Sequence, residues 1–220
     1  MRILAISDVP ERLLYDNFDP QRWRSQVDLI ISCGDLDPRY LEYIVSALDV
    51  PLLYVAGNHD TGYREHPPEG CDDIDGHVIA VAGLRVAGIA GSLRYNAGAE
   101  AYQFSERQFD WQLRRLAHRA RGGRIDLMAS HAAPAQGNPE RDATDPAHRG
   151  VVAFQRFALR HRPRFWLHGH NHLLAQRTSR LSTLGETTVI NVYGHYELDT
   201  DHPRATPSIV TPASTQLRPT

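Results

Sequence analysis

At 220 residues the chain is long enough for one domain with a substantial core. Its formal net charge of −2 supplies no global field to draw it to nucleic acid or an anionic membrane, and its many arginines read as solvated helix faces opposite Glu and Asp. No leader-like segment opens it and no apolar stretch is long enough to span a bilayer, so a cytoplasmic protein is expected, with Cys33 and Cys71 as unpaired thiols.

In chain order, Ile3–Ser7 is a short apolar run of the kind that forms a buried strand, and it ends at Asp8. Asp19-Pro20, an N-cap with Pro at the first helical position, predicts a short helix through Trp23. Leu29–Cys33 is the next strand, closed by Gly34-Asp35. Asp37-Pro38 repeats the capping device, and Tyr40, Leu41, Ile44, Val45 and Leu48 follow at helical spacing. Leu52–Ala56 runs into Gly57-Asn58-His59-Asp60. His77–Ala82 and Arg85–Ala90 flank Gly83-Leu84 and predict a hairpin.

Ser105 with Gln108 makes a capping box for a helix bearing Phe109, Leu113, Leu116 and Ala120 on one face, ended by Gly122-Gly123. Ile125–Ser130 is a strand leading to His131. Val151–His161 reads as a helix stopped by Pro163, and Phe165–His168 as the strand before Gly169-His170-Asn171-His172. Leu174–Thr178 and Thr187–Val192 predict a second antiparallel pair. From about Thr200 the chain is rich in Thr, Pro and Ser without periodicity. The expected organisation is therefore one domain over residues 1–199 and a flexible tail over 200–220.

Five of these apolar runs end in a side chain that can bind metal. In open α/β sheets, ligands gather beyond the carboxyl ends of the strands. Asp, Asn and His at successive strand ends therefore converge, and mixed oxygen and nitrogen donors suit divalent ions.

The ordered set Asp8-Val9-Pro10, Gly34-Asp35, Gly57-Asn58-His59-Asp60, His131 and Gly169-His170-Asn171-His172 resembles the calcineurin-like metallophosphoesterases. Their pattern is Asp-x-His, Gly-Asp, Gly-Asn-His-Asp/Glu, a lone His and Gly-His-x-His. The resemblance runs from Met1 to about Val192. One element departs from it: Pro10 stands where the family has its first-motif His.

The resemblance implies an α/β fold of four layers, α/β/β/α, with two facing mixed sheets between outer helices. It also implies hydrolysis of phosphoric esters by metal-bound hydroxide. Asp35 would bridge two ions, Asn58, His131 and His170 would complete the second position, and Asp8 and His172 would belong to the first. Two cations roughly 3.5–4 Å apart clamp the attacking and leaving oxygens and acidify bound water. The ions expected are manganese, with iron, zinc, magnesium or cobalt as alternatives. His59 would face the scissile phosphate rather than a metal, and Asp60 would hold its orientation.

Other residues have plainer readings. Asp37 before Pro38 is a helix cap, His168 is structural, and Asn171 is a turn residue. Because Pro10 has no donor side chain, water or another residue must complete the first position. Asp16, His148 and His195 are candidates that no spacing supports, and a single ion at the second position is the alternative. Arg94 and Arg149, in two polar loops, are candidates for phosphate oxygens beside the simpler reading as surface arginines. The leading function is hydrolysis of a phosphodiester or small phosphomonoester, with a small phosphorylated molecule as partner and oligomeric state open. A non-catalytic scaffold, supported by Pro10 alone, and a nuclease, which lacks a basic, aromatic-interleaved stripe, are the alternatives.

Overall fold

Apolar runs with no polar face become the inner strands, because only a strand covered on both sides can bury every side chain. A computed structural model describes residues 1–14, 19–96, 101–136, 145–172 and 179–202. In chain order its elements are β1 (Arg2–Ser7), α1 (Pro20–Arg24), β2 (Leu29–Ser32), α2 (Pro38–Leu48), β3 (Leu52–Tyr54), β4 (Asp72–Asp73), β5 (Val78–Val81) and β6 (Leu84–Ile89). They continue as β7 (Ser92–Leu93), β8 (Gln103–Phe104), α3 (Glu106–Ala120), β9 (Leu127–Ser130), α4 (Val152–His161), β10 (Phe165–His168), β11 (Leu181–Leu184), β12 (Thr187–Asn191) and β13 (Gly194–Asp199).

One sheet has the order β13-β1-β2-β3-β4 and the other β11-β12-β10-β9-β6-β5. Each is parallel at its centre and turns antiparallel at an edge: β13 against β1, and β11 and β5 against β12 and β6. Alternation along the strands defines the layers. Leu127, Ala129, Phe165 and Leu167 join a core with Ile3, Ile31 and Leu53 of the first sheet, whereas Met128 and Trp166 point the other way, onto Phe109, Phe154 and Phe157 of α3 and α4. Leu41 and Ile44 of α2 pack with the first sheet's core. This is the expected four-layer α/β/β/α sandwich.

Several local details differ from expectation. The hairpin turn is Ala82-Gly83, with φ of 47° and 83°, and Leu84 already pairs with Val81. A two-residue turn that follows strand twist needs positive φ at both central positions, which moves the turn one residue earlier. The proposed strand Leu174–Thr178 lies outside the described residues, and β11 is the strand antiparallel to β12. β13 was not anticipated. Its Gly194-His195-Tyr196-Glu197 run has no apolar signature, yet it pairs with all of β1. Residues 203–220 of the expected tail are outside the described set. Just before them, the Thr200 N–H donates to Met1 O at 2.8 Å and Asp201 Oδ2 lies 2.8 Å from the N-terminal amine. Among the described residues no helix is long and apolar enough to cross a membrane.

The arginines are not balanced by neighbouring acids as expected. Together α3 and α4 carry six arginines and two acids, Glu106 and Asp110, and both acids are engaged. Asp110 takes Arg156 at 2.8 Å. Glu106 accepts the Val152 and Ala153 amides, both at 2.9 Å. α4 has no capping side chain of its own at Val151, so a carboxylate from α3 satisfies its first amides and complements its dipole. Glu106→Ala should therefore lower stability by about 1–2 kcal/mol, read as a fall in urea midpoint at constant m-value. Arg107→Ala, one residue away on the exposed face, should stay within about 0.5 kcal/mol. Equal midpoints for the two variants would rule out the borrowed cap.

Candidate metal centre

The parallel strands of both sheets end along one edge, and the backbone there turns sharply. Asp8, Asp35 and His170 all adopt left-handed φ, at 67°, 56° and 63°. Such a conformation costs a non-glycine residue about 1–3 kcal/mol, so three together at one edge mark a built site. Around them the chain is packed backbone to backbone. A Cβ on Gly34 would lie 2.3 Å from Gly57 N, and one on Gly57 would lie 2.0 Å from Asp35 Oδ1. The strain is held by hydrogen bonds between loops. Asp8 N–H donates to Gly34 O at 3.1 Å, Gly91 N–H to Ala56 O at 2.8 Å, and Gly169 N–H to His131 O at 3.0 Å.

Asp35, His131 and His170 offer ligand atoms that all lie within 4.8 Å of one another, and among the described residues they form the one such cluster. His131 is fully buried. Its Nδ1 is 2.8 Å from Cys33 O, which can only accept, so Nδ1 carries the hydrogen. Nε2 then faces Asn58 Oδ1 at 3.1 Å and Asp35 Oδ2 at 3.2 Å. Three lone-pair atoms converge with no hydrogen of their own to share, an arrangement that a cation satisfies. In the protein alone, a proton takes that place. Burial opposes a charge on His131, but the Asp35 and Asp8 carboxylates outweigh it and raise its pKa to about 9. Burial likewise works against the Asp35 carboxylate, and the His131 charge overrides it, bringing Asp35 down to about 2.

Asn58 is held in this orientation from behind, its Nδ2 donating to Tyr95 OH at 3.2 Å. His170 lies with its ring 4.8 Å from that of His131. Burial, followed by the His131 charge, lowers its pKa to about 3, so it is a neutral imidazole. His170 Nε2 is 3.0 Å from Ala147 O, which leaves Nδ1 as the atom with a free lone pair. The four residues expected at the second position are thus brought together.

At the first position, the Asp8 side chain is 3% exposed, both its oxygens accept the His170 N–H at 3.1 Å, and His172 Nε2 is 3.8 Å from Oδ1. His172 is 56% exposed and its ring lies 4.9 Å from that of Tyr193. The two described candidates to replace the absent imidazole are each engaged through Nδ1 with a carboxylate. His195 Nδ1 is 3.1 Å from Glu11 Oε2 and its ring meets Trp23 edge-on, His148 Nδ1 is 2.6 Å from Asp145 Oδ2, and Asp16 lies outside the described residues.

His59 is outside the three-residue cluster. Its side chain is 74% exposed and Nε2 is 4.0 Å from Asp35 Oδ2, beside a cleft of about 390 Å³ that Asp37, Tyr63 and His66 also line. The orienting role expected of Asp60 is corrected. Its Oδ2 accepts the Asp35 and Gly57 amides, both at 2.7 Å, so it braces the strained backbone of Asp35 rather than the His59 ring. It does not cap the turn that follows either. Asp37 does cap α2, accepting Arg39 N–H at 2.8 Å. His168 is buried with Nδ1 3.0 Å from Gly169 O, a structural placement.

Arg94 donates to Gln103 O at 3.3 Å, and Arg149 is exposed, its amide bonded to Asp145 O at 3.0 Å. From the same two loops it is Tyr95 and His148 that reach the cluster. Nothing in the sequence singles out Tyr95, and His148 stands there only as a substitute metal ligand. The acid–imidazole spacing Asp145-x-x-His148 was the available signal for its actual placement.

A family model described as calcineurin-like phosphoesterase matches residues 1–174. One solved crystal structure shares 14% identity at a TM-score of 0.68, covering 92% of this chain and 96% of its own. The crystal structure of TT1561 of Thermus thermophilus shares 16% identity at a TM-score of 0.58, covering 88% of this chain and 89% of that one. At such identities the likeness concerns the fold alone. No curated protein matches the chain.

The close approach at Gly57 yields a direct test of the centre. Gly57→Ala must push the Asp35 carboxylate aside, so manganese affinity by calorimetry should fall ~10–100-fold while the circular dichroism spectrum is retained. Unchanged affinity would show that Asp35 is not a ligand, or that its placement is slack.

Proposed function

Because the chain belongs to the calcineurin-like phosphoesterase family, we propose that it is a metal-dependent phosphoesterase hydrolysing a phosphodiester or a small phosphomonoester. The observation that carries this reading is the approach of Asn58 Oδ1 and Asp35 Oδ2 to His131 Nε2, at 3.1 and 3.2 Å, next to the open cleft at His59. When bound, two divalent ions at such a site activate water and neutralise charge on the phosphoryl group. Asp35, Asn58, His131 and His170 would hold one ion, and Asp8, His172 and a shared Asp35 the other. Manganese suits these carboxylate, amide and imidazole donors, with iron, zinc, magnesium and cobalt as alternatives.

The protein's own groups divide the remaining work. His59, exposed and 4.0 Å from Asp35, would meet the ester and protonate the departing oxygen. Asp60 keeps Asp35 in its left-handed turn. A cytoplasmic setting suits the two free cysteines. A scaffold would have no use for three strained residues around a buried histidine, which weighs against the non-catalytic alternative.

Activity is to be measured on bis-p-nitrophenyl phosphate and p-nitrophenyl phosphate across manganese, magnesium, iron, zinc and cobalt. Asp35→Asn and His170→Ala should each abolish hydrolysis and remain folded. His59→Ala should lose ~10²–10⁴-fold in rate while keeping its metal. Near-normal turnover in Asp35→Asn or His170→Ala sinks the site assignment, and loss of metal in His59→Ala makes that residue a ligand.

Pro10 generates a second expectation. The ion at Asp35, Asn58, His131 and His170 should bind more tightly than the one at Asp8 and His172, giving two unequal steps in a manganese titration. Two equivalent ions that survive extensive chelation would contradict it.

A further inference from the structure

The cleft beside His59, about 390 Å³, lies between two walls. Leu36, Asp37 and Pro38, in the link from β2 to α2, form one, and Gly62, Tyr63 and His66, just after Asp60, form the other. The walls are joined to each other: the Tyr63 hydroxyl donates to Leu36 O at 2.5 Å, and the Tyr63 ring meets that of Tyr54 edge-on at 5.5 Å. Both Leu36 and Tyr63 are buried, so the opening is built into the fold.

Gly62 shows why the cleft stays open. Every other described glycine either has a left-handed φ or would bring a Cβ within 3 Å of a neighbour. Gly62 does neither, and a Cβ there would meet nothing within 4 Å. It sits in the single helical turn Thr61–Arg64, where glycine is less stable than alanine. Neither conformation nor crowding asks for a glycine at this position. What its missing side chain provides is space on the cleft wall.

Charge limits what can enter that space. Asp35, Asp37 and Asp60 line the cleft with the imidazoles of His59 and His66, and among the described residues no arginine lines it. Arg64, the cation of the same turn, lies instead over the Tyr102 ring, 5.2 Å from its centre. Asp37 Oδ1 accepts the Arg39 N–H at 2.8 Å, which fixes that carboxylate while the residue stays exposed. An anionic group would face carboxylates with no guanidinium to offset them. An uncharged group with an apolar body meets Pro38, Tyr63 and the room at Gly62.

We propose that this cleft is the subsite for the alcohol portion of the ester, and that it takes an uncharged organic alcohol with an apolar body in preference to an anionic one. This rests on the phosphoesterase reading above. The cleft adjoins Asp35, assigned to both ions, and His59, assigned to the departing oxygen, so an ester whose phosphoryl group is on the metals has its alcohol on this side. A nucleic-acid strand, whose leaving group carries further phosphates, is the wrong class of occupant.

The test uses the manganese-loaded full chain with three probes that cannot be hydrolysed: methylphosphonate, benzylphosphonate and p-carboxybenzylphosphonate. Their affinities are read by calorimetry beside metal content. Benzylphosphonate should bind ~10-fold more tightly than methylphosphonate, and the carboxylated probe should bind ~3–10-fold more weakly than benzylphosphonate. Gly62→Leu should abolish the benzyl preference with metal content retained. Asp37→Asn, which still caps α2, should bring the carboxylated probe close to benzylphosphonate, and it keeps the test open if Gly62→Leu does not fold. Equal affinity for methyl- and benzylphosphonate in wild type overturns the proposal, as does a benzyl preference that survives Gly62→Leu. Wild type that binds the carboxylated probe as tightly as benzylphosphonate overturns the class assigned to the alcohol. If the benzyl preference holds but neither benzyl phosphate nor bis-p-nitrophenyl phosphate is hydrolysed, the hydrolase reading fails while the subsite stands. Wild type that binds manganese but no phosphonate overturns both.

Discussion

The bond between His131 Nδ1 and Cys33 O, 2.8 Å long and fully buried, joins the end of β9 in one sheet to the end of β2 in the other. The rest of the centre depends on it. By fixing which nitrogen carries hydrogen, it turns Nε2 and its lone pair toward Asn58 and Asp35. By fixing the ring, it sets the distance between two loops that come from different sheets and lie 98 residues apart in sequence. A rotation of the ring would leave a buried imidazole without its carbonyl and two oxygens without their partner, each a cost on the order of 1–3 kcal/mol. The interface between the sheets and the geometry of the site are therefore one constraint.

Within that constraint the strained turns find their support. Three left-handed residues at one edge are tolerable only if neighbouring groups over-determine them. Asp60 does this for Asp35, taking both its amide and that of Gly57, and Asp8 receives the His170 amide on both oxygens. A carboxylate that looked like a partner for the neighbouring imidazole thus acts one layer deeper. Its own burial raises its pKa to about 6, because desolvation outweighs the two amides that favour its charge.

Much of this was legible in the sequence, for a definable reason. Apolar runs such as Ile3–Ser7 and Phe165–His168 are buried on both faces, so their composition alone betrays them. The residues that follow each run had to converge once the strands were parallel. What escaped depends on contacts that carry no local signal. β13 is a strand because β1 offers it an edge, not because Gly194-His195-Tyr196-Glu197 prefers one. α4 is capped by Glu106, 46 residues away, where its own Val151 offers nothing. Asp60, Tyr95 and His148 owe their roles to the loops they touch, and proximity across loops is the information a single sequence conceals. The departure at Pro10, by contrast, was visible from composition, since no conformation gives proline a donor side chain.

The two proposed metal positions differ in more than that proline. Around the second, His131 is fully buried and His170 and Asn58 nearly so, and the side chains of His131 and Asn58 are anchored by hydrogen bonds they donate to Cys33 O and Tyr95 OH. Around the first, a deeply buried Asp8 is paired with a half-exposed His172 that rests on the Tyr193 ring. Enclosure strengthens electrostatic attraction and slows exchange with solvent, whereas an open position keeps room for water or substrate oxygen. The loss of an imidazole at Pro10 falls on the open side, where water can stand in for it. The same loss at His131 would leave buried carboxylates with no partner. A chain that can spare one ligand of such a centre can spare it only there.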